Sequence, residues 1–394
     1  MAGSFTGPDG DLENLYITDY DLIDRYVTTG SLWTWGENTY GQLGTNNRTN
    51  YSSPVQTVSG GTNWKQSNHN GAIKTDGTLW MWGQNDYGGL GTNDVTHKSS
   101  PVQTVAGGTN WKQVHGSATM LAAIKTDGTL WTWGYGFFGQ LGNNTSGSTA
   151  KVSSPIQTVS GGNNWKQVTT GQSTFAIKTD GTLWGWGRND LGGLGTNNTT
   201  HYSSPVQTVS GGTNWKLVSS GGLYTTAIKT DGTLWLWGYN SYGQLGTNNR
   251  TSYSSPVQTV SGGTNWKQVS NSNHTAAIKT DGTLWVWGNN NYGQLGTNEI
   301  TNRSSPVQTV SGGTNWKQVS VGYYFSVAVK TDGTLWTWGR NYLGDLGSNN
   351  TTNRSSPIQT VAGGTNWKSV GIPFGSYNVR AIYFNDVGDL YPSA

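Results

Sequence analysis

Hydrophobic and polar positions alternate through a short unit that returns along the whole chain. In Ala277-Ile278-Lys279-Thr280-Asp281-Gly282-Thr283-Leu284-Trp285-Val286-Trp287-Gly288, alternating residues run into Thr-Asp-Gly-Thr, and two Trp follow at a spacing of two. Asp-Gly between such runs predicts a tight hairpin, because a primed turn needs positive φ at its centre. Along the second strand Trp285 and Trp287 point to one face, and Leu284 and Val286 to the other. Both faces are apolar, so each hairpin has to be covered twice. That predicts stacked sheets.

The first Trp of the Leu-Trp pair recurs at Trp33, Trp80, Trp131, Trp184, Trp235, Trp285 and Trp336, a period near 50 residues. A fixed period of that length marks a propeller or a solenoid. Each unit holds four strand-like runs; in the fifth they span 233–238, 256–260, 266–269 and 276–280. Four short strands without helical periodicity fit one propeller blade. The chain contains seven Leu-Trp-x-Trp strands, seven Pro-[Val/Ile]-Gln-Thr-Val strands and eight hairpins, including degenerate ones at 25–33 and 381–391. The fold class expected is therefore all-β: a seven-bladed β-propeller of four-stranded antiparallel blades. The surplus hairpin predicts closure by terminal strands that share one blade and hide its edges; which terminal hairpin is left over stays open. If the strands run up and down, two kinds of loop share one face. They are the loop after Gly-Gln-Leu-Gly and the loop before Ala-Ile-Lys, and both vary. The Asp-Gly and Gly-Gly turns, which barely change, take the other face.

Composition sharpens this picture. The chain of 394 residues is only 32% apolar yet holds 21 Trp, so Trp is the main core material; Trp235 is expected to be one such core residue. The 59 Gly recur at fixed positions and read as turn chemistry. The absence of Cys excludes disulfides and thiolate metal sites. No apolar run approaches the ~20 residues of a membrane span, and the start lacks a basic region followed by an apolar one, so no secretory signal is expected. A net charge of +3 argues against nucleic acid as a partner. Residues 1–24 stand apart, with Asp9, Asp11, Glu13, Asp19, Asp21 and Asp24 and neither Lys nor Arg. The domain reading is an acidic amino-terminal arm over 1–24, for attachment or as a solvated tail, and a propeller over 25–394.

Trp-Gly-x-Asn-x-Tyr-Gly-Gln-Leu-Gly, as at 237–246, resembles the signature of the regulator of chromosome condensation repeat. So does Asn273-His274-Thr275-Ala276-Ala277 ahead of the Asp-Gly turn. The resemblance covers about residues 25–391 and implies a seven-bladed propeller. It does not imply nucleotide exchange on a small nuclear GTPase, because the founding member's basic tail has no counterpart here and its exchange wedge cannot be matched blade by blade. The family also includes propellers that inhibit β-lactamases by surface binding alone, so fold does not fix function. Near-identical Ser-Ser-Pro-Val-Gln-Thr-Val and Gly-Gly-Thr-Asn-Trp-Lys-Gln-Val repeats also resemble repeat proteins of marine and cyanobacterial phages. That resemblance implies a virion location: a tail, fibre or decoration protein that meets other virion proteins or a host surface ligand, protein or glycan.

Candidate chemistry is sparse. The Lys and Asp of each Ala-Ile-Lys-Thr-Asp-Gly read as a turn residue and its solvated neighbour. Lys65, Lys112, Lys166, Lys216, Lys267, Lys317 and Lys368 form either a basic ring for an anionic polymer or, as is commoner, a way to blunt strand edges. His69, His97, His115, His201 and His274 lack metal-site spacing and read as structural. No catalytic set can be nominated, so neither an enzyme nor a cofactor is expected. What remains is surface. Phe138, Arg188, Tyr224, Tyr239, Tyr323, Tyr324, Phe325 and Arg340 fall in the variable loops, and exposed Tyr and Arg are typical interface anchors. The alternative is drift in unconstrained loops. The chain reads as a non-enzymatic structural or binding propeller. A tectonin-like sugar-binding propeller and a cellular protein-interaction propeller are the alternatives to a virion component.

Overall fold

The computed structural model describes residues 30–68, 70–117, 119–372 and 377–384. Among them 28 strands form seven four-stranded antiparallel sheets, and no helix is present. The first strand of each sheet touches the first strands of both neighbouring sheets, so the seven sheets close into a ring around these inner strands. The expected seven-bladed propeller is the fold. In blade 5 the strands run outward as Trp266–Asn271, His274–Lys279, Leu284–Gly288 and Arg303–Gln308. The outer strand starts earlier than the sequence pattern suggested, because a residue at its head, Arg303, pairs with Gly288 beyond a register shift.

Each blade has two unlike faces. Trp266, Trp287 and the half-buried Trp285 pack on Ile228, Leu234, Leu236 and Leu245 of blade 4. The opposite face of blade 5, with Ala276, Ile278, Leu284 and Val286, receives Trp316 and Trp338 of blade 6. An indole face thus meets an aliphatic face around the ring. Within a blade the indoles meet edge to face: Trp266 lies 6.5 Å from Trp285 and 6.1 Å from Trp287 between ring centroids.

The two Trp of one strand differ in depth. Trp287 is fully buried, and its Nε1–H donates to the Gln244 carbonyl of blade 4 at 2.8 Å. Trp285 is only half-buried. Its Nε1–H donates to Thr283 Oγ1 at 2.9 Å, and that hydroxyl donates to Asp281 Oδ1 at 2.6 Å. Lys279 Nζ lies 4.8 Å from the Trp266 ring centroid and 4.6 Å from that of Trp285. The lysine that read as a solvated turn neighbour therefore caps two indoles, a cation–π contact worth about 0.5–1 kcal/mol at an exposed site. Thr283 hydrogen bonds, from side chain and then backbone, hold the Asp281 carboxyl below its ordinary value. Trp235 is the counterpart of Trp285 and sits at this rim; Trp237 is the deep residue of its strand. Gly282 is obligatory at the turn, with φ 79° and a Cβ position only 2.0 Å from the Thr314 carbonyl oxygen.

Closure is now resolved. Trp367–Gly371 and Asn378–Tyr383 supply the inner half of blade 7, and Ser31–Gly36 and Tyr51–Gln56 the outer half. Leu32 pairs with Ile382 and Trp33 with Ala381. Residues 25–29 and 385–391 of the two degenerate hairpins lie outside the described residues, as do the arm 1–24 and His69. Arg380 fastens the junction. Fully buried, it donates from Nη2 to the Gln42 carbonyl at 2.7 Å and from Nη1 to the Asn68 carbonyl at 3.1 Å, 4.8 Å above the Trp82 ring. Burial draws its guanidinium down to about 9.

The unequal depth of the paired indoles is testable. Trp287→Ala is expected to cost ~3–5 kcal/mol, as for large aromatic deletions in packed cores. Trp285→Ala should cost roughly half of that, because part of its ring already faces solvent. Urea melts of both variants check the order; equal losses would contradict it.

Candidate functional site

The two faces of the ring separate as alternation implies. On one, Trp266 N–H donates to the Gly232 carbonyl at 3.0 Å and Thr280 N–H to Asn265 at 2.8 Å, which ties Asp-Gly turns to the Gly-Gly turns. On the other, the two variable loops meet: Tyr239 N–H donates to the Leu223 carbonyl at 3.1 Å.

A buried Asn builds the frame of the variable face. Asn240 Oδ1 accepts from Leu245 N–H at 2.9 Å, while its Nδ2 donates to Thr247 Oγ1 at 3.2 Å and the Thr251 carbonyl at 2.9 Å. Asn248, at φ 57°, donates its N–H to the Ser304 carbonyl of blade 5 at 2.8 Å. The loop is thereby pinned to its own blade and to the next. The intervening positions of Trp-Gly-x-Asn-x-Tyr are carried on that frame, and they are the positions that change from blade to blade.

Together with the Tyr position of the signature (Tyr87, Phe138, Tyr292) and the loop before the second strand, these positions assemble two aromatic groups. In the first, Tyr292 lies 5.0 Å from Tyr324 and 5.8 Å from Tyr342, and Tyr323 lies 6.0 Å from Tyr324 and 6.2 Å from Tyr377. Arg340 sits among them, 3.8 Å from the Tyr377 centroid. In the second, Tyr87 stacks on Tyr135 at 4.7 Å, Phe137 meets Phe138 at 4.9 Å, and Phe138 meets His201 at 5.1 Å. Arg188 lies 4.9 Å from the Phe138 ring and donates from Nε to Asp190 at 2.6 Å. Between the groups is a cavity of about 170 Å³ lined by residues that include Arg188, Leu223, Tyr239, Gln244, Asn273 and Tyr323. Arg188 and Tyr323 thus each belong to one group and to the cavity wall. Burial raises the phenol of Tyr323 above its ordinary value, helped by Tyr377 and Tyr324.

Of the eight residues expected in a contact, Phe138, Arg188, Tyr239, Tyr323 and Tyr324 are partly open on this face. Tyr224 and Phe325 are not: they are 1% and 0% exposed. Each is the first residue of a second strand, and each belongs to an inter-blade core cluster. Tyr224 also shares a hydrogen bond of 2.9 Å with Thr275. The expectation that they present a surface is corrected. Arg340 is also mostly buried, under the tyrosines rather than beside them. Sequence reasoning missed Tyr292, Tyr342 and Tyr377, although Tyr342 is 57% exposed. The doublet Tyr323-Tyr324 drew attention as a cluster; single tyrosines at repeat positions did not.

Charge beneath the first group is unusual. Asp345, where other blades carry Gln or Gly, has no exposed side-chain surface, and neither carboxylate oxygen has a hydrogen-bond partner among the described residues. Arg340 Nη2 approaches to 3.6 Å. Burial wins over that partner and pushes the Asp345 carboxyl up to about 7. His274 behaves as a buried neutral imidazole, 2.7 Å from Ser326 Oγ through Nε2, with its basicity drawn down to about 3 by burial. No group of three or more His, Cys, Asp or Glu able to hold a metal occurs among the described residues. No helix among them is long and apolar enough to cross a membrane.

Seven successive segments, 29–66, 76–124, 127–177, 180–228, 231–278, 281–329 and 332–381, match the model of the regulator of chromosome condensation (RCC1) repeat. The chain belongs to the RCC1 repeat family. Among curated proteins it resembles the ultraviolet-B receptor UVR8 of Arabidopsis thaliana, 31% identical over 147 residues, which are 37% of this chain and 33% of that one. A second is the mitochondrial RCC1 domain-containing protein RUG3 of the same plant, 30% identical over 136 residues, 32% of this chain and 29% of that one. The chain therefore matches about a third of the length of these relatives. Among solved structures of the RCC1 fold, yeast RCC1 (Prp20) bound to Kap60 superposes with TM-score 0.79 at 17% identity, over 99% of this chain and 96% of that one. Human WBSCR16 superposes with TM-score 0.77 at 18% identity, over 91% and 99%.

The buried Asp345 gives this RCC1-type ring a specific pH response. A carboxyl whose proton affinity is raised by folding favours the native state while protonated, so its contribution is fully present below the unfolded value of 3.8 and is lost as pH rises towards about 7. Each tenfold change in proton affinity is worth about 1.4 kcal/mol. Asp345→Asn should therefore gain melting temperature relative to the parent as pH rises through that window, and little below it. A constant difference across the window would show that Asp345 stays ionised against Arg340.

Proposed function

We propose that the chain is a non-enzymatic, protein-binding propeller whose contact is the variable-loop face, centred on Tyr323, Tyr324 and Tyr342 with Tyr239, Arg188 and Phe138 around the cavity. One observation carries this reading. Large aromatic and Arg side chains collect at the changing positions of one face, on a loop frame that repeats in nearly every blade, while the opposite face repeats its turns. Tyrosine offers much contact area for little lost rotamer freedom, and Arg adds stacking and directed hydrogen bonds. The cavity is small and of mixed lining, with Gln, Asn and Arg beside Leu and Tyr in its wall and no acid–base or nucleophile set, which suits a recognition surface. Protein binding is also what the structure of yeast Prp20, which shares this fold, was described with: its binding properties to Gsp1p and histones.

The finer setting proposed is a phage particle, with another virion protein or a host surface protein or glycan as the partner. That setting rests on the near-identical repeats described above. Detection of the chain in purified particles tests it independently of the contact itself.

For the contact, the variant Tyr323→Ser, Tyr324→Ser, Tyr342→Ser is compared with a control on exposed valines before the Gly-Gly turns, Val105→Ser, Val209→Ser, Val310→Ser. A partner held by the parent and the control should be bound on the order of 30-fold more weakly by the tyrosine variant, the loss of one hot-spot residue of ~2 kcal/mol or more. Equal binding by both folded variants would place the contact elsewhere.

A further inference from the structure

The cavity between the two aromatic groups has a wall of one-sided chemistry. Gln172 and Arg188 reach it from blade 3, Tyr239 and Gln244 from blade 4, Ser272 from blade 5 and Tyr323 from blade 6. Gln172, Ser272 and Tyr323 belong to loops between first and second strands. The first strands contact one another around the axis, so these loops circle its mouth and put the cavity at the middle of the variable face. At about 170 Å³ it has the size to hold one side chain or one chain end. An engineered cavity of about 150 Å³ in another protein takes a benzene.

Among the described residues no Asp or Glu lines this cavity. The groups its wall can offer a ligand are donors. Arg188 donates from Nε to Asp190 at 2.6 Å, and its two terminal nitrogens make no hydrogen bond among the described residues. Asp190 is held on its other oxygen by His201 Nε2 at 2.9 Å. Gln244 Oε1 accepts from Tyr242 N–H at 2.9 Å, so the end left for a ligand is the amide nitrogen. Ser272 is 2% exposed, and its Oγ has no partner among the described residues. The loop does not need that hydroxyl. Blades 3 and 6 carry Gly171 and Gly322 at the same place, and each donates its N–H to the first residue of the second strand, as Ser272 does to His274 at 3.0 Å. A buried hydroxyl without a partner is unfavourable in the free protein and is satisfied by a ligand that accepts from it.

We propose that the cavity receives one carboxylate of the protein partner, from an Asp or Glu side chain or from a chain end, on the terminal nitrogens of Arg188, with Ser272 Oγ and Gln244 Nε2 as further donors. This anchor rests on the contact face proposed above and gives it a centre. A planar guanidinium presents paired donors that match the two oxygens of a carboxylate. An Asn or Gln side chain in the same place would bring one acceptor oxygen and turn an amide donor towards other donors, so the acid is preferred over its amide. Residues that dominate a contact sit at its centre, in pockets from which their neighbours exclude water. Tyr323 with Tyr324 on one side, and Phe138 against Arg188 on the other, stand as those neighbours.

The probes are two carboxylates, acetyl-Gly-Glu-Gly-amide and acetyl-Gly-Gly-Gly with a free carboxyl end, beside the neutral acetyl-Gly-Gln-Gly-amide. The full chain is prepared with isotopically labelled arginine, and the side-chain resonance of Arg188 is the one lost in Arg188→Gln. At least one carboxylate should shift that resonance at about tenfold lower concentration than the neutral peptide does. The arm that does so names the source, side chain or chain end. Saturation transfer to the probe measures the variants. Arg188→Gln should weaken it about tenfold, and Arg188→Lys should recover only part, since an ammonium is a point charge. Ser272→Ala removes no bond within the protein, so it should keep or gain melting temperature while weakening the probe about threefold. Equal shifts by acid and amide, a shift confined to Arg340, or full probe binding by Arg188→Gln would each overturn the anchor. The contact face is judged separately. A partner lost by the tyrosine variant but held fully by Arg188→Gln overturns the anchor and keeps the face. Carboxylate binding at Arg188, with the partner still held by the tyrosine variant, keeps the carboxylate site and overturns the face.

Discussion

The indole of the second Trp in a Leu-Trp-x-Trp strand reaches out of its own blade and donates to a backbone carbonyl in the loop of the blade before. The bond is 3.0 Å for Trp35 and Trp82 and 2.8 Å for Trp133, Trp186, Trp287 and Trp338. Trp237 lacks it. The rest of the Gly-Gln-Leu-Gly sequence follows from this bond. Gln244 supplies the carbonyl, and Leu245 fills the cluster beside the indole. Gly246 lies flat on the ring, since a Cβ there would fall 2.9 Å from Trp287 Nε1. Gly243 brings the loop against Ser304 of the next blade, 2.5 Å from where its Cβ would be. A glycine-rich segment that elsewhere suggests a phosphate-binding loop is here the joint between blades.

That joint also decides where the molecule is free to vary. Residues that support the loop look inward and are held by several bonds each. Most residues between them are partly open to solvent and make side-chain contacts only at the surface, as Arg188 does with Asp190 and Phe138. Changes at positions 188, 239 or 342 are therefore expected to leave the ring intact, whereas a change at Asn240 removes hydrogen bonds to four other residues of its loop. Positions 289 and 340 are exceptions: Asn289 is buried and accepts from Gln294 Nε2 at 2.7 Å, and Arg340 is turned inward together with the acid at 345.

Much of the fold was legible because the same physical problem is solved seven times. Asp-Gly marked the turns, the spacing of two marked a strand face, and the period gave blades. Depth within a face was not legible. Trp285 and Trp287 have the same parity, and only their distances from the turn and the capping Lys279 make one a rim residue. Tyr224 and Phe325 were placed in loops because they follow variable residues. The pattern Phe325-x-Val327-x-Val329 already carried the strand one residue into that loop, and all three side chains are buried together. The register shift at each inner-strand Lys, as between Trp266 and Gln268, had no sequence signal, since Trp-Lys-Gln-Val alternates without interruption. Arg380 was unreadable for another reason. Its partners, Asn68 and Gln42, are more than 300 positions away.

That separation has a meaning for how the protein is made. Blades 1 to 6 are each contiguous in sequence and can form as soon as they leave the ribosome. The strands Ser31–Gly36 and Tyr51–Gln56 cannot complete a blade until the chain reaches Tyr383, whose carbonyl accepts from Ser31 352 positions earlier. At ~5–20 residues per second that is roughly 20–70 s of synthesis. Through that interval the first-made pair has an open strand edge, which invites pairing with another nascent chain. The quality of the product is then set by translation speed and by how closely ribosomes follow one another on the message.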